Sequence, residues 1–171
     1  MLGGGRVQSG AERSVGIADM TLVKDSGQTI VTHALGSCIG VTIYDPVAKV
    51  GGLLHFMLDR PMKTTRSADH PAEMYASTGI PELFKQAYKL GATKDNLIVA
   101  AAGAAEMIDG GAGMRIGTRN RMILRKIFWK NGIKLAAEDT GGSDARALRL
   151  NMETGIVTVN SRNQERLLWK P

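Results

Sequence analysis

One cysteine is all that this chain of 171 residues contains. No internal disulfide can form, and nothing points to an oxidising compartment. Three histidines stand at no metal-ligand spacing from one another or from that cysteine, so neither a zinc site nor any other cofactor is expected. Two Trp, three Tyr and three Phe are too few to build a base-stacking surface, and the basic residues form no single tract. Nucleic-acid binding would therefore rest on charge alone. No apolar run approaches the roughly 18 residues of a membrane span, and no membrane insertion is expected. The opening MLGGGRVQSGAERS lacks the apolar centre of a signal peptide. We read residues 1–14 as a flexible lead-in and expect a cytoplasmic location. Repeats are absent, and so is low complexity beyond the N-terminal glycines.

What remains is an ordinary globular composition, 43% apolar and 22% charged, rich in glycine at 21 residues. The length suits one domain, placed at 15–161 and followed by a C-terminal tail at 162–171. The net charge of +6 suggests acidic partners. Arg119 to Lys130 is the densest basic segment. Its Ile123, Leu124, Ile127 and Phe128 follow helical spacing, while Arg121 and Arg125 share another face. A surface helix with a solvated basic face is the simpler reading.

Period-two alternation and turn signals predict strands over Val15–Lys24, Gln28–Ala34, Cys38–Tyr44, Val50–Leu58, Leu97–Ala102 and Ile133–Glu138. A hairpin turning at Glu153-Thr154-Gly155 follows. Pro61–His70 is a polar loop, and a Gly-rich loop over 103–117 precedes the basic helix. Ile80, Leu83, Phe84, Ala87 and Leu90 mark a helix with Pro81 in its first turn and Gly91 as its stop. Strands outnumber helices and hairpins dominate. The fold class is α+β: a single domain, mostly antiparallel sheet with helices on one face.

Cys38 lies in THALGSCIGVTIYD, where Ile39, Val41 and Ile43 form the evident core face and Cys38 takes the other. A lone cysteine is commonly a small core hydrophobe. Here, however, Gly36-Ser37 precedes it and permits close approach by another molecule. Antiparallel pairing through the DPVAK turn brings in His55. Residue numbers summing to 93 set His55 opposite Cys38, and a sum of 95 makes them diagonal neighbours on one face. A sum of 94 separates them to opposite faces. A thiol beside an imidazole is chemically useful, because the base takes the thiol proton and later delivers it to a leaving group. The imidazole needs an orienting acceptor, for which the Thr32 hydroxyl is a candidate. His33 competes as base, but it faces away from Thr32. His70 falls in the polar loop and is expected to be solvated.

The pattern T-x-x-LGSC, then YDP, then VGGLLHFMLDRP, resembles the CheD family of chemoreceptor glutamine deamidases. IGTRN (Ile116–Asn120), AEDTGG (Ala137–Gly142) and N-x-x-TG-x-V-x-V (Asn151–Val159) follow in family order. Two features depart from the family: its GGA-x-MF loop reads AGAAEMI here, and it has no catalytic histidine at the position of His33. The resemblance implies an α/β/β layered sandwich like that of toxins that deamidate a glutamine of small GTPases. It implies Cys38 as nucleophile, His55 as base and Thr32 as the orienting group, with Gly36, Ser37, Arg119, Asn120, Thr140 and Gly141 as substrate-binding positions. The implied substrates are glutamines in the cytoplasmic helical bundles of methyl-accepting chemotaxis receptors. A CheC-type phosphatase is a second implied partner. The rival readings are a non-catalytic adaptor that binds receptor or phosphatase, and a small cysteine peptidase.

Overall fold

The computed structural model describes residues 10–63, 69–106 and 115–171. Its elements form two five-stranded sheets and two α-helices. In chain order the strands are β1 (Glu12–Val15), β2 (Asp19–Lys24), β3 (Thr29–Leu35), β4 (Ile39–Asp45) and β5 (Val50–Phe56). Helix α1 (Ala76–Lys89), β6 (Ile98–Gly103) and α2 (Ile116–Lys130) come next, and β7 (Leu135–Thr140), β8 (Arg146–Asn151), β9 (Val157–Ser161) and β10 (Gln164–Trp169) complete the chain. One sheet runs β1-β3-β8-β9-β10, the other β2-β5-β4-β6-β7. The pairs β1–β3 and β6–β7 are parallel and the other named pairs antiparallel. Among the described residues no helix is long and apolar enough to cross a membrane.

The layers follow from the side-chain alternation of the central strands. Every residue of β4 and β5 is buried, because both faces of this sheet are covered. Ile39, Val41, Ile43, Leu54 and Phe56 pack against Ile80, Leu83 and Phe84 of α1 and Leu124 and Phe128 of α2. Tyr44 and Leu53, of opposite parity, pack instead on Ile30, Leu148, Leu150 and Val159 of the other sheet. Burying each such side chain contributes about 1.5–3 kcal/mol. The result is the α/β/β sandwich, with helices on one face.

Several bounds differ from the expectation. The predicted strand Val15–Lys24 is two strands in different sheets, since Ala18 adopts a φ of 55° in the turn between them. Strand β1 takes in residues 12–14, assigned above to the lead-in, and β10 runs through the stretch assigned to a tail. The β9–β10 turn places Arg162 and Asn163 at φ of 52° and 60°, the pattern of a mirror-image hairpin turn. Arg at its first position concealed it. Helix α1 starts at Ala76, so Pro81 lies inside it rather than in its first turn. Gly91, with φ of 107°, stops that helix, and the Ala92 N–H bonds back to the Ala87 carbonyl at 3.1 Å. The Gly-rich loop is described only at its two ends.

Candidate active site

The register between β4 and β5 pairs Gly40 with His55 and Ile39 with Phe56. This is the diagonal alternative, in which Cys38 stands two residues from the partner of His55. Cys38 itself is half-buried and precedes β4 as a bend rather than opening the strand. No hydrogen bond joins its sulfur to the imidazole. Gly40 contributes no side chain where the ring enters the layer between the sheets. A Cβ there would come within 3.3 Å of the Thr32 methyl and closer still to Leu148 and Leu35.

Thr32 projects from β3 in the opposite sheet, and His55 meets it across the interlayer. Its Oγ1 lies 2.7 Å from His55 Nδ1 and 2.7 Å from the Val15 carbonyl oxygen. A hydroxyl has one proton. The Val15 carbonyl can only accept, so Thr32 donates to it and accepts from Nδ1–H. That assigns the proton of the neutral ring to Nδ1 and leaves a lone pair on Nε2. Nε2 is buried and has no hydrogen-bond partner among the described residues. His55 is fully buried, and this pushes its pKa down to about 4. Burial also pushes the Cys38 thiol up, partly offset by its own backbone N–H. The resting pair is a neutral thiol and a neutral imidazole.

The loop before the cysteine is held by its carbonyls. Gly36 O accepts from Ala105 N at 2.8 Å, Ser37 O from Asn120 Nδ2 at 2.9 Å, and Cys38 O from Ala104 N at 2.8 Å. No backbone acceptor is found among the described residues for the Ser37 and Cys38 N–H groups. Two adjacent amides with no backbone acceptor among the described residues, on a loop next to a thiol, suit an oxyanion. Gly103 is required here for sterics. Its φ is 122°, and a Cβ would sit 2.2 Å from the Cys38 carbonyl oxygen.

The remaining expected residues divide. Thr140 pairs with Gly103, and Gly141 N bonds to Gly103 O at 2.9 Å, so both border the same end of the sheet. The Thr140 hydroxyl is engaged with Glu138 at 2.6 Å. Arg119 is exposed, bonds to Asp59 at 3.0 Å, and lines an open groove with Arg60, Met62 and Lys63. Asn120 was expected among the substrate-binding positions. It is fully buried, and its amide hydrogens go to the carbonyls of Ser37 and Met57. His33 is exposed and turned away from Thr32, and His70 is exposed in its loop. Among the described residues no three His, Cys, Asp or Glu side chains converge to hold a metal ion.

Fold and site together combine an α/β/β sandwich, a histidine anchored by a hydroxyl from the facing sheet, and one cysteine two residues from that histidine's strand partner. The family model described as "CheD chemotactic sensory transduction" matches residues 57–161. That stretch includes Arg119, Asn120, Thr140 and Gly141, while Thr32, Cys38 and His55 lie upstream of it. The chain is 48% identical over 147 residues to the probable chemoreceptor glutamine deamidase CheD 1 of Syntrophus aciditrophicus, covering 86% of this chain and 92% of that one. It is 42% identical over 149 residues to the chemoreceptor glutamine deamidase CheD of Thermotoga maritima, covering 86% and 90%. With the probable deamidase of Pyrococcus horikoshii the figures are 38% over 161 residues, covering 93% and 98%. The chain belongs to the CheD family.

Proposed function

We propose that this protein deamidates glutamine side chains of chemotaxis receptors in the cytoplasm, with Cys38 as nucleophile, His55 as base and Thr32 as the group that orients it. The observation that carries the reading is the 2.7 Å contact between Thr32 Oγ1 and His55 Nδ1. By the proton count above, it leaves Nε2 free to accept, on the face that the β4–β5 register shares with Cys38. The names of the relatives supply the substrate class.

The steps follow from these groups. Cys38 Sγ attacks the carboxamide carbon as its proton moves to His55 Nε2, and the carbonyl π pair becomes an oxyanion facing the Ser37 and Cys38 amides. His55 returns the proton to the amide nitrogen. The C–N bond breaks, ammonia leaves, and a thioester remains. Water then attacks the thioester, again giving a proton to His55, and collapse expels the Cys38 thiolate. That thiolate recovers the proton and glutamate is released. A neutral resting pair makes proton transfer part of the attack rather than a step that precedes it.

The test is mass spectrometry of a receptor cytoplasmic fragment after incubation with the protein. Wild type should convert defined glutamines to glutamate and Cys38→Ala none. Binding of the fragment without conversion by either form would favour the adaptor reading. Backbone cleavage would favour the peptidase. Pull-down with a CheC-type phosphatase addresses that second partner separately.

A further inference from the structure

Three carbonyls in succession hold the loop Gly36–Ser37–Cys38, and two of them are tied by backbone amides of Ala104 and Ala105. The middle one, Ser37 O, depends on a side chain, Asn120 Nδ2 at 2.9 Å. The peptide between Ser37 and Cys38 is trans, so its C=O and N–H point in opposite directions within one plane. Whatever draws the Ser37 carbonyl inward therefore turns the Cys38 N–H outward. The other amide hydrogen of Asn120 reaches Met57 O at 2.7 Å, two residues beyond His55. Both acceptors are carbonyls, so the NH₂ group must face them. The amide orientation is set by chemistry.

The carrier of this side chain is itself firmly placed. Asn120, Leu124 and Phe128 recur at helical spacing on the buried face of α2, the latter two within the helix–sheet core. At the start of α2, a Cβ on Gly117 would lie 2.5 Å from Ala105 O and 2.7 Å from Ala104 O. The helix thus packs directly on the segment whose amides hold the other two carbonyls.

We propose that Asn120 is a positioning residue that aims the Cys38 N–H at the oxyanion and ties the nucleophile loop to the end of the strand carrying the base. This rests on the deamidase reading but adds a role that substrate contact does not supply. It touches no substrate and acts through the loop.

The experiment compares wild type with Asn120→Ala on a receptor fragment, reading kcat and KM from ammonia release, together with Cys38 alkylation by iodoacetamide and Tm. Alkylation at a saturated carbon develops no oxyanion and reports the thiol and its base alone. The expected result is kcat lower by about 100-fold, the scale of one lost oxyanion donor, with KM and the alkylation rate unchanged. Should Asn120→Ala not fold, Asn120→Ser, which keeps one donor on a shorter arm, gives the same comparison. The inference is overturned by an unchanged kcat, by a rise in KM with kcat preserved, or by parallel losses of kcat and alkylation in a folded variant. A wild type that releases no ammonia overturns the deamidase reading itself, and this inference with it.

Discussion

His55, held in the interlayer by Thr32, titrates at about 4 when folded and at 6.5 ordinarily, because burial disfavours its charged form. Between those values the unfolded chain binds a proton that the folded chain does not. Stability is therefore fully present above 6.5 and declines as pH falls toward 4, by up to about 3 kcal/mol at roughly 1.36 kcal/mol per unit. Denaturant titrations of wild type and His55→Gln across that window check this, and the variant should lose most of the dependence. The same shift keeps the proposed base neutral in mildly acidic solution, so the acid limb of kcat/KM should lie well below pH 6.5. An acid limb near 6.5 would mean that His55 ionises as an exposed histidine does. Thr32→Ala strands the buried Nδ1–H, at a cost of about 1–3 kcal/mol. It should lower turnover by at least about tenfold, part of the roughly 10²–10⁴ that a positioned base contributes. His33→Leu, at an exposed position of β3, should keep wild-type rates. Equal losses in the two variants would place the orienting group on the wrong side of that strand.

Where β4 leaves the Cys38 bend it pairs with the end of β6, and Gly103 allows the two backbones to meet. Gly103→Ala would set a methyl against the Cys38 carbonyl at a φ of 122°. Neither backbone can yield cheaply, so we expect a loss of more than about 1 kcal/mol and a fall in turnover as Cys38 moves. Thermal melting and ammonia release read the two effects. An unchanged melting temperature and rate would show that the loop tolerates displacement. Much of this arrangement was readable from residue patterns. The alternation of β4 came from single-strand periodicity, the turn at Asp45-Pro46 from its turn residues, and the two registers that join Cys38 to one face of His55 from antiparallel pairing across that turn. The second sheet did not. Tyr44 and the His55 face of β5 are buried by strands distant in sequence, and pairings such as β3 with β8 depend on the whole chain. Asn120 was hidden for the same reason, since a polar side chain on a basic helix reads as surface until its carbonyl partners are known.

For the molecule as a whole, the excess of 22 Lys and Arg over 16 Asp and Glu remains the feature with the longest reach. Arg121 and Arg125 are less free to contribute than helical spacing suggested. Both face Glu138, Arg125 at 3.2 Å and Arg121 at 3.8 Å. Exposed pairs of this kind add little stability, yet they cancel charge locally. If the remaining cations steer the protein to acidic receptor segments, kcat/KM should fall with ionic strength while kcat stays nearly level, because exposed charges are screened beyond about 8 Å at physiological salt. A kcat/KM indifferent to salt would remove steering from the account. The catalytic claim itself is tested most directly by ammonia release from a receptor cytoplasmic fragment with wild type and with Cys38→Ala. We predict steady release by wild type, matched by glutamate formed in the fragment, and none above background with Cys38→Ala. Equal release by both would contradict the assignment of Cys38 as nucleophile.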